Sequence, residues 1–89
     1  MKEWYVYIVK CSDGSLYTGI TTDLARRIDE HNNSKKGAKY TRSKRPVELT
    51  YSEPHADRSS ASKRESSIKK LSRDNKLKLI VRNFTKNNQ

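Results

Sequence analysis

Hydrophobic and polar positions change their period several times along this chain. Trp4 to Cys11 reads WYVYIVKC, with apolar or aromatic side chains at both odd and even positions. That pattern predicts a strand covered on both faces. Ser12-Asp13-Gly14 interrupts it, and Ser15 to Ile20 reads as a second short strand, so the two predict a β-hairpin. Two registers are open. A two-residue Asp-Gly turn pairs Ser12 with Ser15 and puts Tyr7 and Tyr17 on opposite faces. A three-residue loop with Gly14 left-handed pairs Cys11 with Ser15, sets Val9 opposite Tyr17 and Tyr7 opposite Gly19, and brings both tyrosines to one face.

Thr21-Thr22-Asp23 is a helix-start signal, and the helix it opens runs to about Asn32. Leu24, Arg27, Ile28 and His31 fall at i, i+3, i+4 and i+7, which is one stripe. Arg27 and His31 therefore border the buried side, while Arg26 pairs with Glu30 on another face. Asn32 to Arg45 has no apolar period and predicts a polar loop. Val47 to Tyr51 alternates as a half-buried strand does, and Glu53 to Asp57, with Pro54, reads as a connection. A second helix is predicted over Arg58–Leu71, weak in propensity and sparse in apolar positions: Ala61, Ile68 and Leu71, with Glu65 inside their stripe. A third follows Ser72 or Asp74, with Leu77, Ile80, Val81 and Phe84 as its apolar stripe. The order ββαβαα predicts an α+β domain over residues 1–84, a three-stranded sheet flanked by helices, with residues 85–89 as a frayed tail.

Composition narrows the function. With 89 residues, 31% of them hydrophobic, the chain is expected to form one small domain, too small for a large cofactor-binding fold. No stretch approaches the ~20 apolar residues of a membrane span, and no secretory signal is visible. A single cysteine, Cys11, excludes an intramolecular disulfide and the usual zinc spacings, which fits a reducing cytoplasm. Twenty Lys and Arg against ten Asp and Glu give a net charge of +10. That exceeds the ~2–8 at which a small domain is comfortably soluble, and it points to a polyanion, most often nucleic acid. The cations concentrate in the polar loop, where Lys35, Lys36, Lys39, Arg42, Lys44 and Arg45 surround Tyr40 with no acidic residue among them. Clustered cations flanking an aromatic suit phosphate contact.

Several polar residues sit where a fold alone would not need them. Tyr7 and Tyr17 share a face in one register, Arg27 and His31 share the inner side of the first helix, and Glu65 interrupts a thin stripe. Phosphodiester hydrolysis needs such parts: a base for water, a cation for the developing charge, a carboxylate for a divalent metal. Glu65 can equally pair with Lys69, four residues on.

Tyr5-Val6-Tyr7, the ten residues from Tyr7 to Tyr17, and Tyr17-Thr18-Gly19 resemble the two half-motifs of GIY-YIG nucleases. The likeness continues through Asp23-Leu24-Ala25-Arg26-Arg27, His31 and Glu65. Gly37 to Arg42 and Arg45 to Leu49 resemble its small bacterial branch, UPF0213. Tyr5, Val6 and Thr18 depart from the motifs, but Tyr7, Tyr17 and Gly19 remain. The resemblance implies a ββαβαα nuclease fold and the three-residue hairpin loop. It implies hydrolysis with one Mg or Mn ion held by Glu65, Arg27 on the scissile phosphate, Tyr7 or Tyr17 as general base, and His31 supporting Arg27 or touching phosphate. Asn83 is a candidate for the family's C-terminal asparagine. Structure-selective or weakly sequence-selective cleavage of DNA, aided by a recruiting partner protein, is the implied mode, and a monomer is expected. The rival reading is a nucleic-acid-binding module without catalysis, recruited by a partner.

Overall fold

The computed structural model describes residues 3–87, with side chains to residue 83. Its sheet has the order β2-β1-β3, all antiparallel, with β1 (Trp4–Lys10) between β2 (Leu16–Thr21) and β3 (Glu48–His55). The central place of β1 explains its unbroken apolar run. Val6 and Ile8 point to one side, where Tyr51, Ala61, Ile68, Leu79 and Ile80 cover them. Tyr7 and Val9 point to the other and join Cys11, Val47, Leu24 and Ile28.

The hairpin takes the three-residue loop. Cys11 N donates to Ser15 O, Gly14 N donates to Cys11 O, and Gly14 has φ +86°. Only glycine adopts that value without strain. The register sets Val9 opposite Tyr17 and Tyr7 opposite Gly19, so both tyrosines face one side.

Four helices follow: α1 (Leu24–Asn33), α2 (Lys39–Arg42), α3 (Arg58–Lys69) and α4 (Arg73–Asn87). Asp23 caps α1 by accepting from Arg26 N, and Asp57 caps α3 by accepting from Ser60 N. α1 covers the Tyr7 face; α3 packs across β1 and β2, and α4 against β3.

Three elements differ from expectation. The polar loop contains α2, a single turn too short to have an apolar period. β3 continues through Pro54 to His55, where a connection was predicted. An edge strand accepts proline because its outer N–H positions have no partner to lose. The stripe predicted for α4 is rotated: Leu79 and Ile80 enter the core, whereas Leu77 is 37% and Val81 61% exposed. Leu77 to Val81 is apolar around most of a turn, so period alone could not choose the face. The side chain of Phe84 lies outside the described residues, and α4 continues to Asn87, beyond the end predicted at Phe84.

Candidate active site

The site is built from β1 outward. Tyr7 is 1% exposed, and its phenol lies over Gly19. A Cβ on Gly19 would stand 2.5 Å from the hydroxyl oxygen, so the missing side chain is what makes the slot. Helical spacing then brings Arg27 and His31, one turn apart on α1, to the same hydroxyl. His31 Nε2 lies 2.8 Å from it, and Arg27 Nε donates to it at 3.4 Å. His31 Nδ1 lies 2.8 Å from Thr41 Oγ1.

Burial dominates the electrostatics. His31 is fully buried and its pKa is pushed down to about 4, by burial first and then by the charges of Arg27 and Arg45, against the opposing effect of Glu30. The imidazole is therefore neutral at neutral pH. Burial also raises the Tyr7 pKa; Arg27 opposes this, while Tyr17 and Glu65 add to it. Glu65 thus lies close enough to Tyr7 for its charge to be felt there.

Arg27 is held firmly but incompletely. Nη1 donates to Glu30 Oε1 at 3.0 Å and to the Lys36 carbonyl at 2.9 Å. Among the described residues, Nη2 makes no hydrogen bond, and the side chain is one-quarter exposed. A phosphate oxygen can use that edge. His31 cannot be a phosphate contact in this arrangement, because it is enclosed and both ring nitrogens are engaged. His31 and Arg27 meet at the Tyr7 hydroxyl and do not bond each other directly.

Tyr17 packs edge-on to His31, with ring centroids 5.4 Å apart, and stacks on Tyr40 at 5.9 Å. Lys44 sits over the Tyr40 ring, 3.7 Å from its centroid, and reaches Asp13 at 3.6 Å. Lys35, Lys36, Lys39 and Arg42 are exposed around this knob. Arg45, expected among them, is turned inward. Its guanidinium donates to the carbonyls of Glu30, His31 and Ser34. The Glu30 and Ser34 carbonyls also accept from the N–H groups of Ser34 and Gly37, so Arg45 is a further donor at the end of α1, where a cation suits the helix dipole.

Glu65 is one-fifth exposed and lies 3.5 Å from Lys69, so the pairing with Lys69 is present as well. Its place depends on how α3 is pinned. The neighbouring Arg64 donates from Nε to both oxygens of Glu53, at 3.1 and 3.2 Å. His55 bridges Glu53 and Ser60, and Tyr51 donates to Glu53. No sequence signal singled out Glu53, because it fell in a segment read as a connection. Thr41 and the close approach at Gly37 were missed for a similar reason, since their partners lie on α1; Glu30, expected to pair with Arg26, does so at 4.0 Å and also pairs with Arg27 at 3.0 Å. Asn83 stands beside Leu49, Thr50, Tyr51 and Ser52, away from the Tyr7 cluster.

No group of three or more His, Cys, Asp or Glu residues that could hold a metal occurs among the described residues. Zinc would need such a group. Mg²⁺ or Mn²⁺ would not, since hard ions of this kind keep several waters and take one or two carboxylates plus substrate phosphate oxygens. Glu65 alone fits that donor set.

Residues 3–78 match the family model described as the GIY-YIG catalytic domain. The chain belongs to the GIY-YIG family. That membership places it in a nuclease superfamily. A UPF0213 protein of Desulfotalea psychrophila is 65% identical over 86% of this chain and 70% of its own length. A UPF0213 protein of Staphylococcus saprophyticus is 56% identical over 90% of this chain and 96% of its own length. The solution NMR structure of an E. faecalis protein superposes with a TM-score of 0.62 at 44% identity, covering 90% of this chain and 84% of that one. The solution structure of a UPF0213 protein from Bacillus halodurans gives 0.57 at 46% identity, over 89% and 83%. The names of these relatives state no activity.

Proposed function

We propose that this GIY-YIG chain is a divalent-metal-dependent endonuclease that hydrolyses phosphodiester bonds in DNA, with selectivity for nucleic-acid shape rather than sequence. The convergence of Tyr7, Arg27 and His31 on one hydroxyl, within the electrostatic reach of Glu65, carries this reading. A packed core has no use for that set of groups at the centre of a sheet. Arg27 binds and polarises the scissile phosphate through its unengaged edge. Tyr7 accepts the proton of the attacking water as its own hydroxyl proton passes to Nε2 of the neutral His31, and Tyr17 borders the same pocket and orients the reactants. Glu65 would hold Mg²⁺ or Mn²⁺, which supplies positive charge at the phosphate. The α2 knob, with Lys35, Lys36, Lys39, Tyr40, Arg42 and Lys44, tracks the DNA backbone. The chain acts as a monomer brought to its substrate by a recruiting protein.

The test is cleavage of labelled single-stranded, duplex, nicked, flap and branched DNA and structured RNA, each with Mg²⁺, Mn²⁺ or EDTA. Cutting that needs metal and is lost in a folded Glu65→Ala variant supports the proposal. One observation favours a rival: Tyr7 is almost wholly enclosed. Salt-sensitive binding to the panel without any cutting would select a binding module instead.

A further inference from the structure

We infer that Thr41 is a positioning residue: it fixes which nitrogen of His31 carries the proton, and so decides that Tyr7 faces the substrate as a hydrogen-bond acceptor. This inference rests on the nuclease reading only for its consequence in catalysis. The proton assignment itself rests on hydrogen-bond geometry, independently of that reading.

Thr41 and His31 are both fully buried. Thr41 Oγ1 lies 3.0 Å from the Ala38 carbonyl, which can only accept. That carbonyl also accepts from the N–H groups of Thr41 and Arg42, at 3.1 and 3.2 Å; in the inferred arrangement the Thr41 hydroxyl joins them, and Thr41 offers His31 a lone pair. At 2.8 Å, Nδ1 must then be the nitrogen that donates. The neutral ring leaves Nε2 bare, and Nε2 accepts the hydroxyl proton of Tyr7 at 2.8 Å. The phenol oxygen keeps its lone pairs, one facing the Arg27 N–H and one for a proton from water. The opposite tautomer would invert this. Nε2–H and Arg27 would then occupy both lone pairs of Tyr7, and its own proton would have to point at the reactants. Tyr7 would face them as an acid.

The surrounding loop is built to deliver Thr41. Gly37 packs so closely on α1 that a Cβ would stand 2.7 Å from the Glu30 carbonyl oxygen. Arg45 ties the far end of the loop to the last carbonyls of α1. The Asn32 side-chain amide bonds Val47 in both directions, donating at 3.1 Å and accepting at 2.7 Å. Arg27 holds the Lys36 carbonyl. The charged and titratable groups facing the ring are Arg27 and Glu30 of α1, Tyr7 of β1, Tyr17 of β2, and Arg45 from the loop.

The chain has only two histidines, so long-range ¹H–¹⁵N NMR can read the His31 tautomer directly, with His55→Gln for assignment. Wild type and Thr41→Ser are expected to show the Nδ1–H form at neutral pH. Thr41→Val, which keeps the shape but offers no acceptor, is expected to populate the Nε2–H form. Its melting temperature should fall with the lost buried hydrogen bonds while DNA binding stays unchanged; where the protein is folded, its cleavage rate should fall by roughly 100-fold, the scale of a lost general base, and Thr41→Ser should restore it. An Nε2–H tautomer in wild type, or an Nδ1–H tautomer that persists in Thr41→Val, would overturn the inference whether or not the protein cuts DNA. A tautomer change in a protein that never cuts supports the positioning role and refutes the nuclease reading alone.

Discussion

Lowering the pH puts a proton on a ring that the fold keeps neutral, and the cost is large for so small a protein. His31 carries a pKa of about 4 in the folded state against an ordinary value of 6.5. The unfolded chain binds the proton first, so stability rises with pH across this window. The contribution is full above about 6.5 and is lost as the pH falls toward about 4. At ~1.4 kcal/mol per pH unit, the loss is about 2 kcal/mol by pH 5 and about 3 kcal/mol by pH 4. That is a large fraction of the ~5–15 kcal/mol that holds a domain together. Glu53 and Asp13 have lowered pKa values, so their stabilisation is lost only below the ordinary carboxylate range. Stopping at pH 5 therefore isolates histidine. Urea unfolding followed by Trp4 fluorescence between pH 7.5 and 5 should show the midpoint falling by roughly 1–2 M at an m-value of ~1–2 kcal/mol per M. His31→Gln, less stable at pH 7.5, should lose most of this dependence. Parallel curves for the two proteins, or NMR titration of His31 near 6.5, would refute the reasoning.

Other consequences can be checked with the same material. Gly19→Ala should displace the Tyr7 phenol, lower stability by about 1–3 kcal/mol as overpacking does, and abolish cleavage; urea unfolding and the cleavage panel read both effects. Glu53→Gln should loosen α3, at about 1–2 kcal/mol, and reduce cleavage without altering the salt dependence of DNA binding, since Glu53 holds the helix that carries Glu65. Arg42→Ala should lower the slope of log affinity against log salt on duplex DNA by about 0.9, the share of one phosphate contact. Arg45→Ala should leave that slope unchanged and lower the melting temperature.

β1 was legible because it is apolar on both faces, and α1 because its single apolar stripe is long enough to show its period. Trp4 to Cys11 read as a doubly covered strand, and β1 is the central one. Leu24, Arg27, Ile28 and His31 formed a stripe, and α1 lays that stripe on the Tyr7 face. Period fails where it has too few residues, as in α2, or too many apolar ones, as in α4. It also says nothing about proline on an edge strand, because edge position is a property of the sheet. The hairpin was intermediate: the local sequence allowed both registers, and the Tyr7 slot over Gly19 goes with only one of them.

The charged residues show the deeper limit. A composition of +10 invites the assumption that every cation in a basic loop faces the nucleic acid. Here the fold uses several for itself. Arg45 donates to carbonyls at the end of α1, Arg64 neutralises Glu53, and Arg27 is half-committed to Glu30 and Lys36. Nothing in their local sequence separates Arg45 from Arg42, three residues away, because the acceptors that claim Arg45 lie at the end of α1. The same distant pairing places Thr41 beneath His31. A buried imidazole between two guanidinium groups must be neutral, and a neutral ring must put its one proton on one side. The threonine that chooses the side is therefore as much a part of the chemistry as the tyrosine it orients, although its sequence context marks it only as one polar residue in a loop.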